Sequence, residues 1–173
     1  INGDTNPVVF SFTTAPNVTN NQSNLAKKQT IQASDIILNT PVVNASNVNQ
    51  GTSNVVVYAA KMKVLTEPVS VNNIQFNLSG NYDANDINSV YIYYNASAPV
   101  VSGASFLNSA TATFAAPHSF SVNINRSLVV GEQGYFIIVA NFSSTATDNK
   151  YVQINGDTNP VVFSFTTAPN ITD

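Results

Sequence analysis

Along residues 73–78, Ile74, Phe76 and Leu78 alternate with Asn73, Gln75 and Asn77. The same alternation returns at 119–125, where Phe120, Val122 and Ile124 are separated by Ser119, Ser121, Asn123 and Asn125. A period of two with one polar face predicts half-buried strands in antiparallel sheets that pack together. In 55–64, Val56, Tyr58, Ala60, Met62 and Val64 take one face, while Lys61 and Lys63 take the other. The segment 135–142, YFIIVANF, is apolar on both faces for most of its length and reads as a central strand. Turn residues punctuate these runs at Glu67-Pro68, Gly80, Ala116-Pro117, Gly131 to Gly134 and Asn155-Gly156. Helical periodicity is nearly absent.

The pattern predicts an all-β fold, an antiparallel Ig-like β-sandwich with at most one or two short helical turns. Phe76, Phe120, Ile138, Phe163 and Phe165 are expected to share its core. One strand-like stretch occurs twice: INGDTNPVVFSFTTAPN fills residues 1–17 and returns without a substitution at 154–170, an offset of 154 − 1 = 153. Val161, Phe163 and Phe165 therefore have counterparts in Val8, Phe10 and Phe12. Self-similarity at a fixed spacing is the mark of a repeat, and this period is the size of one autonomous domain. The chain reads as a window on a tandem array. In that reading 1–33 is the final hairpin of a preceding repeat, or an exchanged strand, with a long polar loop at 14–28. Residues 34–173 are then the next repeat, with its own last strand expected beyond the window. An edge left open in this way is a template for strand addition. The expected partners are neighbouring copies in the same chain and, if strands exchange, other copies of the chain.

Composition removes several functions. Charged residues make up 9% of the chain, against roughly a quarter in an ordinary soluble domain. Asn fills much of the difference, with 26 of 173 residues. Six Lys and Arg in all do not form a nucleic-acid footprint. Cys is absent, so disulfides and thiolate chemistry are excluded. No apolar run approaches the ~18 residues of a membrane-spanning helix, and membrane insertion is not expected.

Candidate chemistry is sparse. His118 is the only histidine and reads as an ordinary loop residue. Both glutamates, Glu67 and Glu132, sit in turns, and no catalytic set can be assembled around them. The chain is therefore not expected to be an enzyme. Asp83, Asn85 and Asp86 supply enough oxygen for a weak calcium candidate. Against it stands a simpler role, with Asp83 capping a short helical turn before Ile87. Apart from this calcium candidate no cofactor is expected. Tyr91 and Tyr93 share one strand face, with Tyr94 and Ile92 on the other. A tyrosine pair can stack on a sugar ring, though such pairs more often cover a sheet. Asn-x-Ser/Thr occurs eight times, at Asn17, Asn21, Asn44, Asn77, Asn95, Asn125, Asn141 and Asn170.

Three stretches resemble a known family: GTSNVVVYAAKMKV, then VNNIQFNLSGNYDANDINSVYIYY, then SFSVNINRSLVVGEQGYFIIVANF followed by NKYVQI. Their order includes a G-x-Y-x-A-x-D-I corner (Gly80, Tyr82, Ala84, Asp86, Ile87) and a late G-x-x-G-Y-F (Gly131, Gly134, Tyr135, Phe136). This resembles a β-sandwich repeat of giant surface proteins of Bacteroidota, many of them exported by type IX secretion. The resemblance covers about 100 residues, within 51–154. It implies a structural repeat at the bacterial cell surface, in a gliding adhesin, a stalk, a fibre or a grappling-hook-type filament. The other expectation is a repeated ligand-binding module for glycan or protein, gaining avidity from copy number.

Overall fold

The computed structural model describes residues 35–40, 43–111, 115–154, 160–167, 169 and 171–172. Contacts divide the chain into Ile1–Gln32 and Ala33–Asp173, and everything described lies in the second unit. Its strands are β1 (Ile36–Asn39), β2 (Val55–Val64), β3 (Val69–Gly80), β4 (Ile87–Asn95) and β5 (Ser105–Thr111), followed by β6 (His118–Leu128), β7 (Gln133–Phe142), β8 (Val152–Ile154), β9 (Val161–Phe165) and β10 (Ile171–Thr172). Two antiparallel sheets pack as a β-sandwich. The larger has the order β1-β2-β7-β4-β5, and the two residues of β10 join it in parallel beside β1. In the smaller, β3 pairs with β6 on one side and with β8 and β9 on the other.

Alternation supplies the core. Ile74, Phe76 and Leu78 of β3 and Phe120, Val122 and Ile124 of β6 are buried, facing Met62, Val64, Val90, Ile92, Phe136 and Ile138 of the larger sheet. β3 also buries Val69 and Val71, which lie out of phase with Ile74. A register shift between Val71 and Asn73, present in the pairing with both β6 and β9, brings the two halves of the strand onto one face. As expected, β7 is central, paired with β2 and β4. Its outward residues Ile137 and Val139 are as buried as its inward ones.

Three expectations change. The helical turn expected before Ile87 is instead a plain turn at 84–86, closed by the Asp86 N–H donating to the Asp83 carbonyl at 3.1 Å. Gly134 belongs to β7 rather than to the preceding turn. A Cβ there would lie 2.4 Å from Cζ and the hydroxyl of Tyr94, so the missing side chain is the seat of that ring. Finally, among the described residues 161–165 lies at the side of the smaller sheet. Val161 is buried, but Phe163 and Phe165 are only partly buried against the core, and among the described residues their strand pairs with β3 alone.

β8 and β9 run one after the other along the same side of β3. Leu78 pairs with Ile154 and Phe76 with Val161, so β3 advances two residues while its partner advances seven. They pair with successive stretches of β3, β8 with Leu78–Gly80 and β9 with Val71–Phe76. The duplicated sequence begins at Ile154, the last residue of β8, and includes the whole of β9.

Candidate functional site

Tyr91 and Tyr93 lie on the outer face of the larger sheet, where antiparallel pairing brings Phe106 of β5 beside Tyr93. The three rings meet edge to face: Tyr91–Tyr93 at 6.3 Å, Tyr91–Phe106 at 5.8 Å and Tyr93–Phe106 at 5.7 Å between centroids. Burial, and after it the neighbouring Tyr91, push the Tyr93 phenol above its ordinary value. The row continues inward, since Tyr93 pairs with Ile137 and Ile137 with Ala59. An apolar row thus crosses four strands and ends in Phe106, which is 56% exposed. Edge-to-face packing makes a cohesive cluster rather than a flat platform. Sequence reasoning missed Phe106, which only strand register could have supplied. A trough of about 1380 Å³ also runs beside β2 and β8, with Val57, Tyr58, Tyr82 and Val152 among its lining.

The structure gives Asp83 and Asp86 different jobs. Asp86 is 3% exposed, and its two carboxylate oxygens accept the N–H groups of Asp83 and Thr147, each at 2.7 Å. Its own carbonyl accepts the N–H of Ser143. It staples the β3–β4 corner to the loop after β7. The capping carboxylate is therefore Asp86 and not Asp83, which is exposed and pairs with Lys150 at 3.2 Å. Asn85 is exposed too. Among the described residues no three His, Cys, Asp or Glu side chains gather at one point.

A second anchored carboxylate closes the other end of the core. Glu132 accepts from Arg126 at 2.6 Å, from the Tyr94 hydroxyl at 3.0 Å and from the Val129 N–H at 3.0 Å. The Arg126 guanidinium lies 4.4 Å over the Tyr94 ring. Burial, reinforced by Glu132, pushes the Tyr94 phenol up to about 12.

Burial alone would raise Asp86 and Glu132. The hydrogen bonds each accepts, with Lys150 and Arg126 nearby, outweigh it and hold both below their ordinary values of 3.8 and 4.5. A carboxylate depressed in the folded state stabilises fully above its unfolded pKa and loses that contribution as pH falls through the folded one. The urea midpoint is expected to hold its neutral value down to roughly pH 5 and to fall on further acidification, with a shallower fall in Asp86→Asn. A midpoint that rose in acid would contradict these anchors.

Two asparagines of the Asn-x-Ser set are buried structural parts. The Asn95 amide donates to the carbonyls of Val100 and Ser102 and accepts from the N–H groups of Ser97 and Ala98, which organises the loop after β4. Asn141 donates to Ser89 at 2.8 Å and accepts the Asn54 N–H at 2.6 Å. His118 is half-buried at the start of β6 with its ring 4.6 Å from Phe120. Of the repeated strand, Val161, Phe163 and Phe165 lie against β3, with the Phe163 ring 5.3 Å from Phe136. Val8, Phe10 and Phe12 lie outside the described residues. Comparison with family models, with curated proteins and with solved structures finds no match in any of the three.

Proposed function

We propose that residues 34–173 are one Ig-like repeat of a long extracellular filament, stalk or adhesin, and that the repeat bears tension. The observation that carries this reading is the parallel pairing of β1 with β10, Ile36 beside Ile171 and Ile37 beside Thr172. Tension drawn backward ahead of Ile36 and forward beyond Thr172 slides two adjacent strands along each other. Their hydrogen bonds are then loaded together instead of being peeled one at a time. The same pairing brings the chain in at one end of the sheet and directs it toward the other, so copies can follow in line. The duplicated strand supports a tandem arrangement with a 153-residue period. Tyr82 supports the Ig-like assignment: it is buried and its hydroxyl donates back to the Leu78 carbonyl at 3.3 Å, as in the tyrosine corner of Greek-key sandwiches. The cell-surface location and the type IX route rest on the resemblance of 51–154 to Bacteroidota repeats.

Single-molecule pulling tests the reading. Stretched between its two ends, the protein should unfold at clearly higher force than when held at residues 35 and 67. Asp35 and Leu65 are hydrogen-bonded at one end of the β1–β2 pair, so that second geometry peels the strands apart. Equal forces would sink the load-bearing role. The exposed Phe106 with Tyr91 and Tyr93 favours a second reading, a repeated ligand-binding module. A shift in tyrosine emission on titration with a glycan, lost in Phe106→Ala, would favour it.

A further inference from the structure

The apolar side chains that remain exposed are not scattered over the surface. The large hydrophobics left exposed among the described residues are Val48, Val100, Phe106, Val129, Val130, Tyr151, Val162 and Ile171. Strand register and loop hydrogen bonds locate six of them. The β6–β7 turn carries Val129 and Val130, and its Glu132 carbonyl accepts the Val64 N–H at the end of β2. Leu65 in turn bonds to Asp35, immediately before β1. Val100 belongs to the loop folded onto Asn95, and Asn95 pairs with Tyr135 at the start of β7. Ile171 lies beside Ile36. Val100, Val129, Val130 and Ile171 therefore share the end of the sandwich at which β1 begins.

Val48 and Tyr151 lie at the opposite end. Gly51 bonds to Ser143 just after β7, the Gln50 side chain reaches the Ala146 carbonyl, and Asn81 at the end of β3 bonds to Tyr151. Six of the eight exposed hydrophobics thus sit on the two faces that consecutive copies would turn toward each other. Val129 and Val130 are 63% and 49% exposed on a turn, where polar residues and glycine are the ordinary occupants. Patches of this kind mark contact sites.

We propose that the Val129–Val130 tip of one copy docks against the Val48 and Tyr151 end of a second copy, so that modules stack head to tail. The proposal rests on the tandem reading above and names the partner as another copy of this chain. The strand path argues for that occupant: β1 and β10 run parallel, so the chain arrives at the tip end and departs toward the Val48 end. With a 153-residue period the next β1 would start at 36 + 153 = 189, leaving 16 residues, 173–188, after Thr172 to span the joint. No charge lies in 96–104 or 129–131, so apposed copies meet no like-charge repulsion from these loops. Two different patches meeting in this way form a heterologous contact that propagates as an open filament and does not close as a dimer.

Cysteine pairing in the full chain tests the contact directly, because the protein has no cysteine of its own. Within one molecule residues 48 and 130 are separated by the length of β2, about 33 Å for ten residues, far beyond disulfide reach. Under mild oxidation at high protein concentration, the double variant Val48→Cys, Val130→Cys should give a ladder of covalent oligomers. Adding Val129→Lys should reduce the ladder at least tenfold while leaving the thermal midpoint unchanged, since Val129 is exposed. Dimers alone, formed equally by the single variant Val130→Cys, would mean tip-to-tip pairing and overturn the proposal. Absence of any covalent oligomer would overturn it as well. Either result leaves the pulling experiment standing, because shear of β1 against β10 is a property of one module.

Discussion

Phe136→Ala is expected to cost about 3–5 kcal/mol of stability, measured as the shift in urea-unfolding free energy. Phe136 is 1% exposed on the central strand β7. Its ring lies 5.3 Å from Tyr94 and 5.3 Å from Phe163, so it bridges the larger sheet and β9 of the smaller one. Truncation removes the transfer free energy of an aromatic ring and leaves a cavity that well-paired neighbours cannot collapse into. Phe163→Ala should cost roughly half as much, about 1.5–2.5 kcal/mol, because its side chain is only partly withdrawn from water. The order of the two costs is the test. If Phe163 proved the more expensive truncation, β9 would be a core strand and the packing described above would be wrong.

Gly80→Ala should be comparably damaging, for a different reason. Gly80 has a φ of +141°, where a side chain is strained, and a Cβ there would stand 2.1 Å from the Tyr151 carbonyl oxygen. That neighbour is backbone beside β8, its carbonyl accepting the Asn81 N–H, so it cannot swing aside as a side-chain tip would. Strain of ~1–2 kcal/mol and overpacking of ~1–3 kcal/mol together give roughly 2–5 kcal/mol. The loss should be local, with faster amide exchange at Val152–Ile154 and little change in β4 or β7. Gly103→Ala is the control. It too has a positive φ, of +76°, but nothing lies within 4 Å of its would-be Cβ, so strain alone is expected. Equal costs at the two positions would remove the Tyr151 contact from the explanation.

How much of this could be read along the chain depends on the range of the interaction. Alternation at Ile74, Phe76 and Leu78, and at Phe120, Val122 and Ile124, is a backbone property, so the strands and their inward faces were legible. The apolar run of β7 likewise announced a strand covered on both faces. Register was not legible, because it depends on which strand lies beside which. Phe106 therefore could not be joined to Tyr91 and Tyr93, nor the phase change at Asn72 and Asn73 foreseen. In the D-A-N-D stretch, three polar residues within four positions gave no clue to which carboxylate turns inward. Asp86 does so because the loop carrying Thr147 lies above it, sixty-one positions away in sequence. The Asn-x-Ser pattern likewise did not show that Asn95 organises the loop just after it, or that Asn141 is buried between Ser89 and the backbone of Asn54, which precedes β2.

The outer face of β3 and β6 shows where much of the asparagine went. Asn73 donates to Asn123 at 2.9 Å and to Ser121 at 3.1 Å, Ser70 and Ser127 meet at 2.9 Å, and Ser119 donates to Asn77 at 2.7 Å. Most sandwiches can place lysine against glutamate at such positions, and those pairs weaken as ions crowd around them. Amides and hydroxyls carry no net charge for an ion atmosphere to screen. The face is consequently indifferent to electrolyte: from dilute buffer to strong brine its cross-strand ties should keep the same strength, and only Lys150–Asp83 and Arg126–Glu132 have anything to lose among the described ion pairs.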